Sequence, residues 1–246
     1  MADEKTTYRA IDAHVSVDCV VIGFDGEQLC VLLVRQIGKE QKDDMSDMKL
    51  PGSLIYANED LDEAAERVLK ELTGLKNIKM EQFRAYGSKG RTENPEDVAW
   101  LERFQGLPEK RVSMIVTIAY LSLQRIDRKH QELIGTYDAR WVPVWGIKNL
   151  AFDHVKILQD AIVHVRHYVE NNPSLVFDLL PRKFTIAQLR TVYELVYRKY
   201  YDIRNFHKKM SSIPYIVPLD EKEVGVNHRA ARFFRFDRVI YNKNKK

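Results

Sequence analysis

The stretch KLPGSLIYANEDLDEAAERVLKELTGL, residues 49–75, decides the fold of this chain. Its second half predicts one helix at 60–73, because Asp60 can cap the first turn and Glu63, three residues later, completes a capping-box pattern. Gly74 follows at the position where helices commonly end in the left-handed conformation. Apolar residues recur on one side of this helix, at Leu61, Ala65, Val68, Leu72 and Leu75. The stretch therefore predicts a loop followed by an amphipathic helix that packs against a core.

The residues on either side of this helix predict a sheet. Apolar and β-branched runs bounded by turn residues predict five strands, at 15–24, 28–36, 82–87, 111–123 and 137–144. The turn Asp25-Gly26-Glu27 joins the first two as a hairpin. The polar stretch 88–110 has too little pattern to predict an element. A long amphipathic helix is predicted at 153–170, where apolar residues recur three or four positions apart.

The opening stretch resembles the signature of the Nudix hydrolases, G-x5-E-x7-R-E-U-x-E-E-x-G-U, in which U is aliphatic. The pair Gly74-Leu75 fixes the frame, and Glu59, Arg67 and Glu71 then match their positions. The resemblance covers roughly residues 15–145. It implies an α/β/α sandwich built around a mixed sheet.

Two carboxylates of that signature are replaced by apolar residues in this chain. Val68 and Leu72 stand where active members carry glutamates, and Ser53 replaces the first glycine. Magnesium needs hard oxygen ligands, and positions 68 and 72 lie one turn apart on the apolar side of the helix. We therefore expect no enzymatic activity, no metal site and no cofactor. An active Nudix-type pyrophosphohydrolase stays open as the less favoured alternative.

The charge of the chain is divided between its two parts. Residues 1–150 carry 21 Lys and Arg against 25 Asp and Glu, a net charge of −4, whereas residues 151–246 carry 18 against 10, a net charge of +8. The excess reaches +10 over the 66 residues from Pro181 onward. A slightly acidic part joined to a compact basic part is typical of a sensor joined to a nucleic-acid binder.

The basic part predicts a winged helix-turn-helix. Thr185 and Gln188 form a second capping-box pattern at the start of one helix, and Asp202 can cap a short helix that follows. The apolar side of this second helix is expected to be buried, at Ile203, Phe206 and Met210. Strands at 215–219 and 232–241 would form the wing. In this plan the second helix enters the major groove of DNA.

The exposed side of the second helix is expected to contact base edges, and the wing is expected to contact phosphates. The predicted DNA-binding residues are Arg204, Asn205, His207, Lys208 and Ser211 on the helix, with Arg229, Arg232 and Arg235 in or near the wing.

The combination of motifs resembles the Nudix-related transcriptional regulators along nearly the whole chain. The motifs that carry the resemblance are Ala151-Phe152-Asp153-His154, Leu180-Pro181, Phe184-Thr185, Gln188-Leu189-Arg190, Val192-Tyr193-Glu194 and Asn205-Phe206-His207-Lys208-Lys209. The resemblance implies an α+β fold in three parts: a Nudix-like ligand-sensing domain at 1–150, a connector helix at 151–172 and a winged helix-turn-helix at 173–246. It also implies a homodimer that binds double-stranded DNA at a near-palindromic operator, commonly as a repressor.

The sequence is most similar to the members of that family that govern arabinose utilisation, which implies a small sugar effector, L-arabinose. ADP-ribose, which other members sense in the control of NAD metabolism, is the alternative. The predicted ligand-binding residues combine cations with oriented donors and acceptors near the helix start: Arg35, Lys49, Tyr56, Asn58, Glu59, Arg67 and Glu71. Loop packing around Arg67 is the competing explanation for Glu59 and Glu71.

Other features of the sequence bear on location and on rival functions. The polar start predicts no signal peptide, and no apolar run approaches the roughly 18 residues of a membrane helix. Cys19 and Cys30 lie in apolar strand-like runs, which favours buried thiols over a disulfide. These features favour the cytoplasm and no membrane partner. An interaction module or RNA binder is a third functional alternative, but the aromatics that could stack on bases fit apolar helix faces instead.

Overall fold

The computed structural model describes residues 14–35, 45–92, 114–131, 133–134, 137–225 and 230–244. Its strands are β1 (His14–Phe24), β2 (Leu29–Arg35), β3 (Gly52–Leu54), β4 (Glu81–Tyr86), β5 (Ile115–Arg125), β6 (Asp138–Pro143), β7 (Ile216–Lys222) and β8 (Arg232–Phe236). Its helices are α1 (Leu61–Thr73), α2 (Arg128–Gln131), α3 (His154–Asn171), α4 (Ile186–Tyr197), α5 (Ile203–Ser211) and α6 (Arg238–Asn244), with a 3-10 helix at Pro173–Leu179. Most of the polar stretch 88–110 lies outside the described residues.

A mixed sheet forms the first part of the molecule. Within the described residues it has six strands, five of them in the order β4-β5-β1-β2-β6. The sixth, β3, pairs with the first half of β1, on the same edge where β2 pairs with the second half. β1 and β5 are parallel, and the other pairs are antiparallel. β1 is therefore the central strand, and it is buried from Ser16 to Phe24.

The sheet is covered on both faces because successive side chains of a strand point to opposite sides. Val17, Cys19 and Val21 of β1 pack with α1 in one core. Val20 and Ile22 pack with α3 in the other core. This arrangement confirms the predicted α/β/α sandwich, and Cys19 and Cys30 are buried thiols within it.

The ends of α1 are fixed by the residues that the sequence pattern indicates. The side chain of Asp60 accepts hydrogen bonds from the backbone N–H groups of Asp62 and Glu63, both at 2.9 Å, and Glu63 bonds back to the N–H of Asp60. Gly74 ends the helix with a φ of 80°, and a Cβ there would lie 2.4 Å from the carbonyl oxygen of Ile134. Only glycine fits this position.

The winged helix is confirmed, with two corrections to the sequence prediction. α4 and α5 form the helix-turn-helix, and β7 pairs with β8 in the wing. The prediction of a strand at 232–241 is wrong beyond Phe236, because Asp237 accepts hydrogen bonds from the N–H groups of Val239 and Ile240 and starts α6. The prediction that Ile203 is buried is also wrong, since 58% of its surface is exposed.

One apolar core continues from the sheet into the winged helix. It contains residues of β1 and β2, the inner side of α3, the 3-10 helix, and buried residues of α4 and α5. Arg166 of α3 also donates from Nε to the carbonyl oxygen of Val196, at 2.8 Å. α3 therefore packs on both parts of the molecule. None of the described helices combines the length and apolar content needed to cross a membrane.

Restoring a glutamate at position 68 should destabilise the protein. Val68 is 0% exposed in the core between α1 and the sheet, and a buried unpaired carboxylate costs several kcal/mol. We expect Val68→Glu to lower the free energy of unfolding by about 4 kcal/mol, measured by urea denaturation. Glu66→Ala, on the exposed side of the same helix, should change it by less than about 1 kcal/mol. Equal stability of Val68→Glu and the wild type would contradict the packing described for α1.

Candidate functional site

A buried carboxylate and a buried histidine meet where α3 begins. Asp18 of β1 is 5% exposed and His154, the first residue of α3, is 4% exposed. The backbone N–H of Leu50 donates to Nδ1 of His154 at 2.9 Å, so Nε2 carries the ring hydrogen and faces Oδ2 of Asp18 at 3.4 Å. Burial acts to raise the pKa of Asp18, but His154, Lys49 and Arg91 together hold this pKa below its ordinary value.

Lys49 is buried beside this pair. Its Nζ donates to the carbonyl oxygen of Gly52 at 2.5 Å. Burial lowers the pKa of Lys49 to about 8, although Asp18 opposes this shift. A Cβ on Gly52 would lie 1.7 Å from Oδ1 of Asp18, so the turn after Pro51 brings backbone against the carboxylate in a way that a larger residue would prevent.

Arg91 closes the other side of the same site. Its Nε and one terminal nitrogen donate to the two carboxylate oxygens of Asp153, at 3.0 and 2.7 Å. The other terminal nitrogen donates to the Thr117 hydroxyl at 2.7 Å and to the carbonyl oxygen of Ile115 at 3.1 Å. The Thr117 hydroxyl also lies 2.7 Å from the Ser16 hydroxyl. This network places two cations, two carboxylates and two hydroxyls on one face of the sheet.

All of these groups except Asp153 line a pocket of about 400 Å³, a volume that includes its open mouth. The lining residues are Ser16, Asp18, Lys49, Gly52, Ser53, Leu54, Arg91, Thr92, Ile115, Thr117, Phe152 and His154. Phe152 has a φ of 59°, in a region that bulky residues rarely adopt. Its ring centroid lies 5.3 Å from that of His154. Strained backbone of this kind is common at functional sites, and the pocket thus combines polar groups with one aromatic face.

The structure divides the seven predicted ligand-binding residues among different places. Of them only Lys49 lines the pocket. Arg35 is buried at the end of β2 and outside the pocket lining, where it pairs with Asp138 of β6 and, at 3.3 Å, with Asp47. Asn58 is exposed in the loop before α1. Of the other four, Tyr56, Glu59 and Glu71 surround the guanidinium of Arg67.

Arg67 is held by contacts within the chain. Its Nε and one terminal nitrogen donate to Glu59 at 2.7 and 2.6 Å, and that same terminal nitrogen reaches the carbonyl oxygen of Leu54 at 3.0 Å. The other terminal nitrogen donates to Glu71 at 3.3 Å, and the guanidinium lies 3.9 Å from the centre of the Tyr56 ring. This geometry favours the loop-packing explanation for Glu59, while the role of these residues in ligand binding remains a prediction.

The positions of the two replaced glutamates face the core. Val68 is 0% and Leu72 is 8% exposed. No cluster of three or more histidine, cysteine, aspartate or glutamate side chains suited to a metal ion occurs among the described residues. The part of α1 that would hold magnesium in active members instead packs on the sheet.

All five predicted DNA-binding residues of α5 are exposed. Asp202 caps the helix by accepting from the backbone N–H of Asn205 at 2.9 Å, which leaves the Asn205 amide side chain on the surface. The Ser211 hydroxyl lies 3.3 Å from Nδ1 of His207. Arg204 and Lys208 lie one turn apart on this surface.

The predicted wing residues have a different setting. Arg232 bonds to the carbonyl oxygen of Leu219 and pairs with Asp220 at 2.9 Å. Arg235 pairs with Asp237 at 2.9 Å. Arg229 lies outside the described residues. Any phosphate contact of Arg232 or Arg235 therefore competes with a carboxylate of the same chain.

Sequence reasoning missed most of the pocket. Asp18, Arg91, Thr117 and Phe152 were not among the predicted ligand-binding residues, and His154 was noted only as part of a family motif. One signal was present: Asp18 is a charged residue in the middle of an apolar run predicted to be a buried strand, and buried charges need partners.

The match of the NUDIX domain family model covers residues 12–161, more than half of the chain. The chain belongs to the Nudix family. A second model, described as the NrtR DNA-binding winged helix domain, matches residues 176–236. The Nudix domain is thus followed by an NrtR-type winged helix, the domain combination of the Nudix-related transcriptional regulators.

Relatives with the same two-part organisation cover nearly the whole chain. The "ADPR responsive transcriptional repressor NtrR" of Acinetobacter baylyi is 25% identical over 234 residues, which are 94% of this chain and 84% of that protein. The crystal structure of Shewanella oneidensis NrtR has a TM-score of 0.64 and 21% identity, and the match covers 91% of this chain and 94% of that one. NrtR has also been solved with a 27mer DNA.

A MutT/nudix family protein from Enterococcus faecalis shares the fold as well. Its TM-score is 0.63 at 21% identity, and the match covers 95% of this chain and 90% of that one. At such identities the solved structures support the fold alone. The winged-helix model and the Acinetobacter baylyi relative point to NrtR-type regulators rather than to the arabinose regulators that the sequence resemblance had implied.

The contact between Glu59 and Arg67 should make stability depend on pH. The hydrogen bonds from Arg67 lower the pKa of Glu59 in the folded protein, so the pair stabilises the fold at neutral pH and this stabilisation is lost as the pH falls through the folded pKa. We expect Glu59→Gln to cost about 2 kcal/mol at pH 7 and less as the solution is acidified, measured by urea denaturation. Glu71→Gln, at a carboxylate that is half exposed, should cost less at pH 7. A cost for Glu59→Gln that stays constant with pH would refute this account.

Proposed function

We propose that this chain is a ligand-responsive transcriptional regulator that binds DNA through α5 and the wing and acts as a repressor. The observation that carries the proposal is a helix-turn-helix with an exposed basic surface that shares one core with a Nudix domain. A dimer would place two copies of α5 about one DNA turn, roughly 34–36 Å, apart on a near-palindromic operator.

The same proposal assigns no hydrolysis to the Nudix domain. Pyrophosphate cleavage in active members relies on carboxylates that hold a metal ion, which polarises the substrate and activates water. In this chain Val68 and Leu72 occupy two of those positions and are buried. The remaining signature groups, Glu59 and Arg67, are bonded to each other.

The effector that we favour is ADP-ribose, bound in the pocket between β1 and the start of α3. The support is the name of the Acinetobacter baylyi relative, which matches most of both chains. Two cations, Lys49 and Arg91, line the pocket and are suited to a diphosphate without a metal ion. Phe152 offers an aromatic face for a ribose or an adenine.

A small neutral sugar, L-arabinose in particular, is the second candidate effector. The observation that favours it is the internal pairing of the pocket charges: Arg91 is bonded to Asp153 through both carboxylate oxygens, and Lys49 lies beside Asp18. Because these groups already neutralise one another, they leave little net positive charge to attract an anionic ligand. They offer donors and acceptors at short spacing, which suits vicinal hydroxyls.

Either effector would act on DNA binding through α3. The pocket is lined by His154, the first residue of this helix, and by Arg91, which is bonded to the preceding residue, Asp153. The far half of the helix packs on α4 through Arg166. A ligand that binds better to one orientation of α3 shifts the population toward that orientation. Couplings of this kind commonly reach about 1–3 kcal/mol, or 5- to 150-fold in affinity.

Calorimetric titration should separate the two effectors. We expect ADP-ribose to bind, to release DNA in a mobility-shift assay, and to bind at least tenfold more weakly to Lys49→Met. Because the pKa of Lys49 is about 8, its positive charge is lost as the pH rises from 7 to 9, and the affinity for the anionic ligand should fall over this range.

Two comparisons serve as controls for that titration. Lys79→Met, at an exposed lysine outside this pocket, should leave the affinity and its pH dependence unchanged, and Lys49→Met should remove the pH dependence. Heat from L-arabinose with none from ADP-ribose would establish the second candidate and leave the regulator proposal intact. DNA binding that responds to neither ligand would refute both effectors.

Hydrolysis can be tested directly. With magnesium and ADP-ribose, other nucleoside diphosphate derivatives or nucleoside triphosphates, we expect no sustained turnover, because two metal-ligand positions are apolar and buried. Release of phosphate or AMP is measured for the wild type and for Glu71→Ala, which removes a remaining signature carboxylate. Turnover by the wild type well above this variant would show an active enzyme.

A further inference from the structure

Ile203 is exposed where the pattern of its helix predicts burial. It is the first residue of α5, and 58% of its surface is accessible. Phe206 and Met210, which follow on the same side of the helix, are only 4% and 5% exposed. Exposing a β-branched apolar side chain on an otherwise polar surface is unfavourable in water, so a partner that covers it would gain free energy.

The side chain of Ile203 borders a groove between α4, α5 and the loop end of the wing. Apolar residues form part of the groove, and cationic or ionisable residues form the rest; together they are Ile186, Ala187, Arg190, Ile203, His207, Lys222, Ala230, Ala231 and Arg232. No acidic side chain lines this groove among the described residues. The groove thus presents an apolar strip bordered by cationic side chains, of which Arg190 is paired with Glu194 and Arg232 with Asp220.

Duplex DNA is the occupant that this surface fits. The chain from Pro181 onward has a net charge of +10, and Arg204, Asn205 and Lys208 are exposed on the same helix. Within the described residues no ion pair neutralises Arg204 or Lys208. A polyanion is attracted to such a surface, and release of its counterions adds to the affinity.

The position of Ile203 decides what part of the duplex it meets. In helix-turn-helix proteins the N-terminal residues of the second helix contact base edges in the major groove. The C5-methyl group of thymine is the apolar group that base edges present there, and apolar side chains recognise it. Polar base edges would instead lose hydrogen bonds to water without replacement.

We propose that Ile203 is a specificity-determining residue that reads a thymine in each operator half-site through its C5-methyl group. The inference rests on the proposed function, because it requires α5 to enter the major groove. It adds an apolar contact to the polar contacts expected of Arg204, Asn205 and Lys208.

Deoxyuridine substitution tests this proposal, since uracil differs from thymine only by the missing methyl group. The full-length protein first selects its operator from a pool of random duplexes. Each thymine of the operator is then replaced in turn by deoxyuridine, and affinity is measured by fluorescence anisotropy. At one thymine per half-site we expect the wild type to bind about fourfold more weakly, the value of one buried methyl group.

The variant Ile203→Ala should bind the thymine and deoxyuridine operators equally, whereas Ile203→Val should keep part of the discrimination. Val239→Ala, at an exposed β-branched residue of α6 that is 65% accessible, is the matched control and should discriminate as the wild type does. Asn205→Ala should alter base preference, but deoxyuridine at the same thymine should still weaken its binding. Unfolding midpoints of the variants equal to that of the wild type would exclude misfolding as the cause of a lost discrimination.

Two results would overturn the proposal and are distinguishable. If the wild type binds its operator but no deoxyuridine changes the affinity, or if Ile203→Ala keeps the discrimination, the role of Ile203 is refuted and the DNA-binding function stands. If no duplex is selected from the pool, both the role of Ile203 and the proposed function fail.

Discussion

The contact between Asp18 and His154 is the interaction on which the rest of the structure depends. Asp18 lies on the central strand of a sheet covered on both faces, and a carboxylate there persists only with partners. His154, Lys49 and the close approach of Gly52 supply this environment. Because His154 is also the first residue of α3, the pairing fixes where this helix starts on the sheet. The far half of the helix carries the winged helix, so a polar contact in the first part of the molecule helps to position the second.

The replacement of two signature glutamates has opposite effects on metal chemistry and on packing. Val68 and Leu72 remove oxygen ligands from the side of α1 where a metal ion would be held, and both add apolar area to the core against β1 and β2. Arg67 and Glu59 remain as a pair that ties the loop before α1 to the helix. The loop thus keeps its shape without a metal ion. A polar pocket lies on the other face of the sheet, next to α3.

Local patterns in the sequence predicted local structure well and distant contacts poorly. Both capping boxes, at Asp60 and at Thr185, form as the sequence indicates, because the partners are three residues apart and need no tertiary context. The pocket joins Asp18 to His154 and Arg91, residues that only the fold of the sheet brings together. Arg67 has the chemistry of a ligand-binding residue, but its donors are used within the chain. The apolar spacing of α5 predicts that Ile203 is buried. The residue is exposed because α5 begins there, at the edge of the winged helix.

The arrangement of α3 limits how a ligand can influence DNA binding. The helix is anchored at its start by His154, and Asn172 at its end accepts a hydrogen bond from the Tyr241 hydroxyl of α6 at 2.7 Å. A ligand that fills the pocket with equal affinity for every orientation of the helix does not change the populations of those orientations. It must change the contacts of the groups that hold the start of α3. Arg91 is such a group, because its bond to Asp153 lies beside the cap of the helix. If a ligand oxygen replaced one carboxylate oxygen of Asp153 as a hydrogen-bond acceptor of Arg91, the contact that holds the start of α3 would weaken. A bond of similar strength would form between Arg91 and the ligand. Ligand binding and movement of the helix would then be coupled at the same atom.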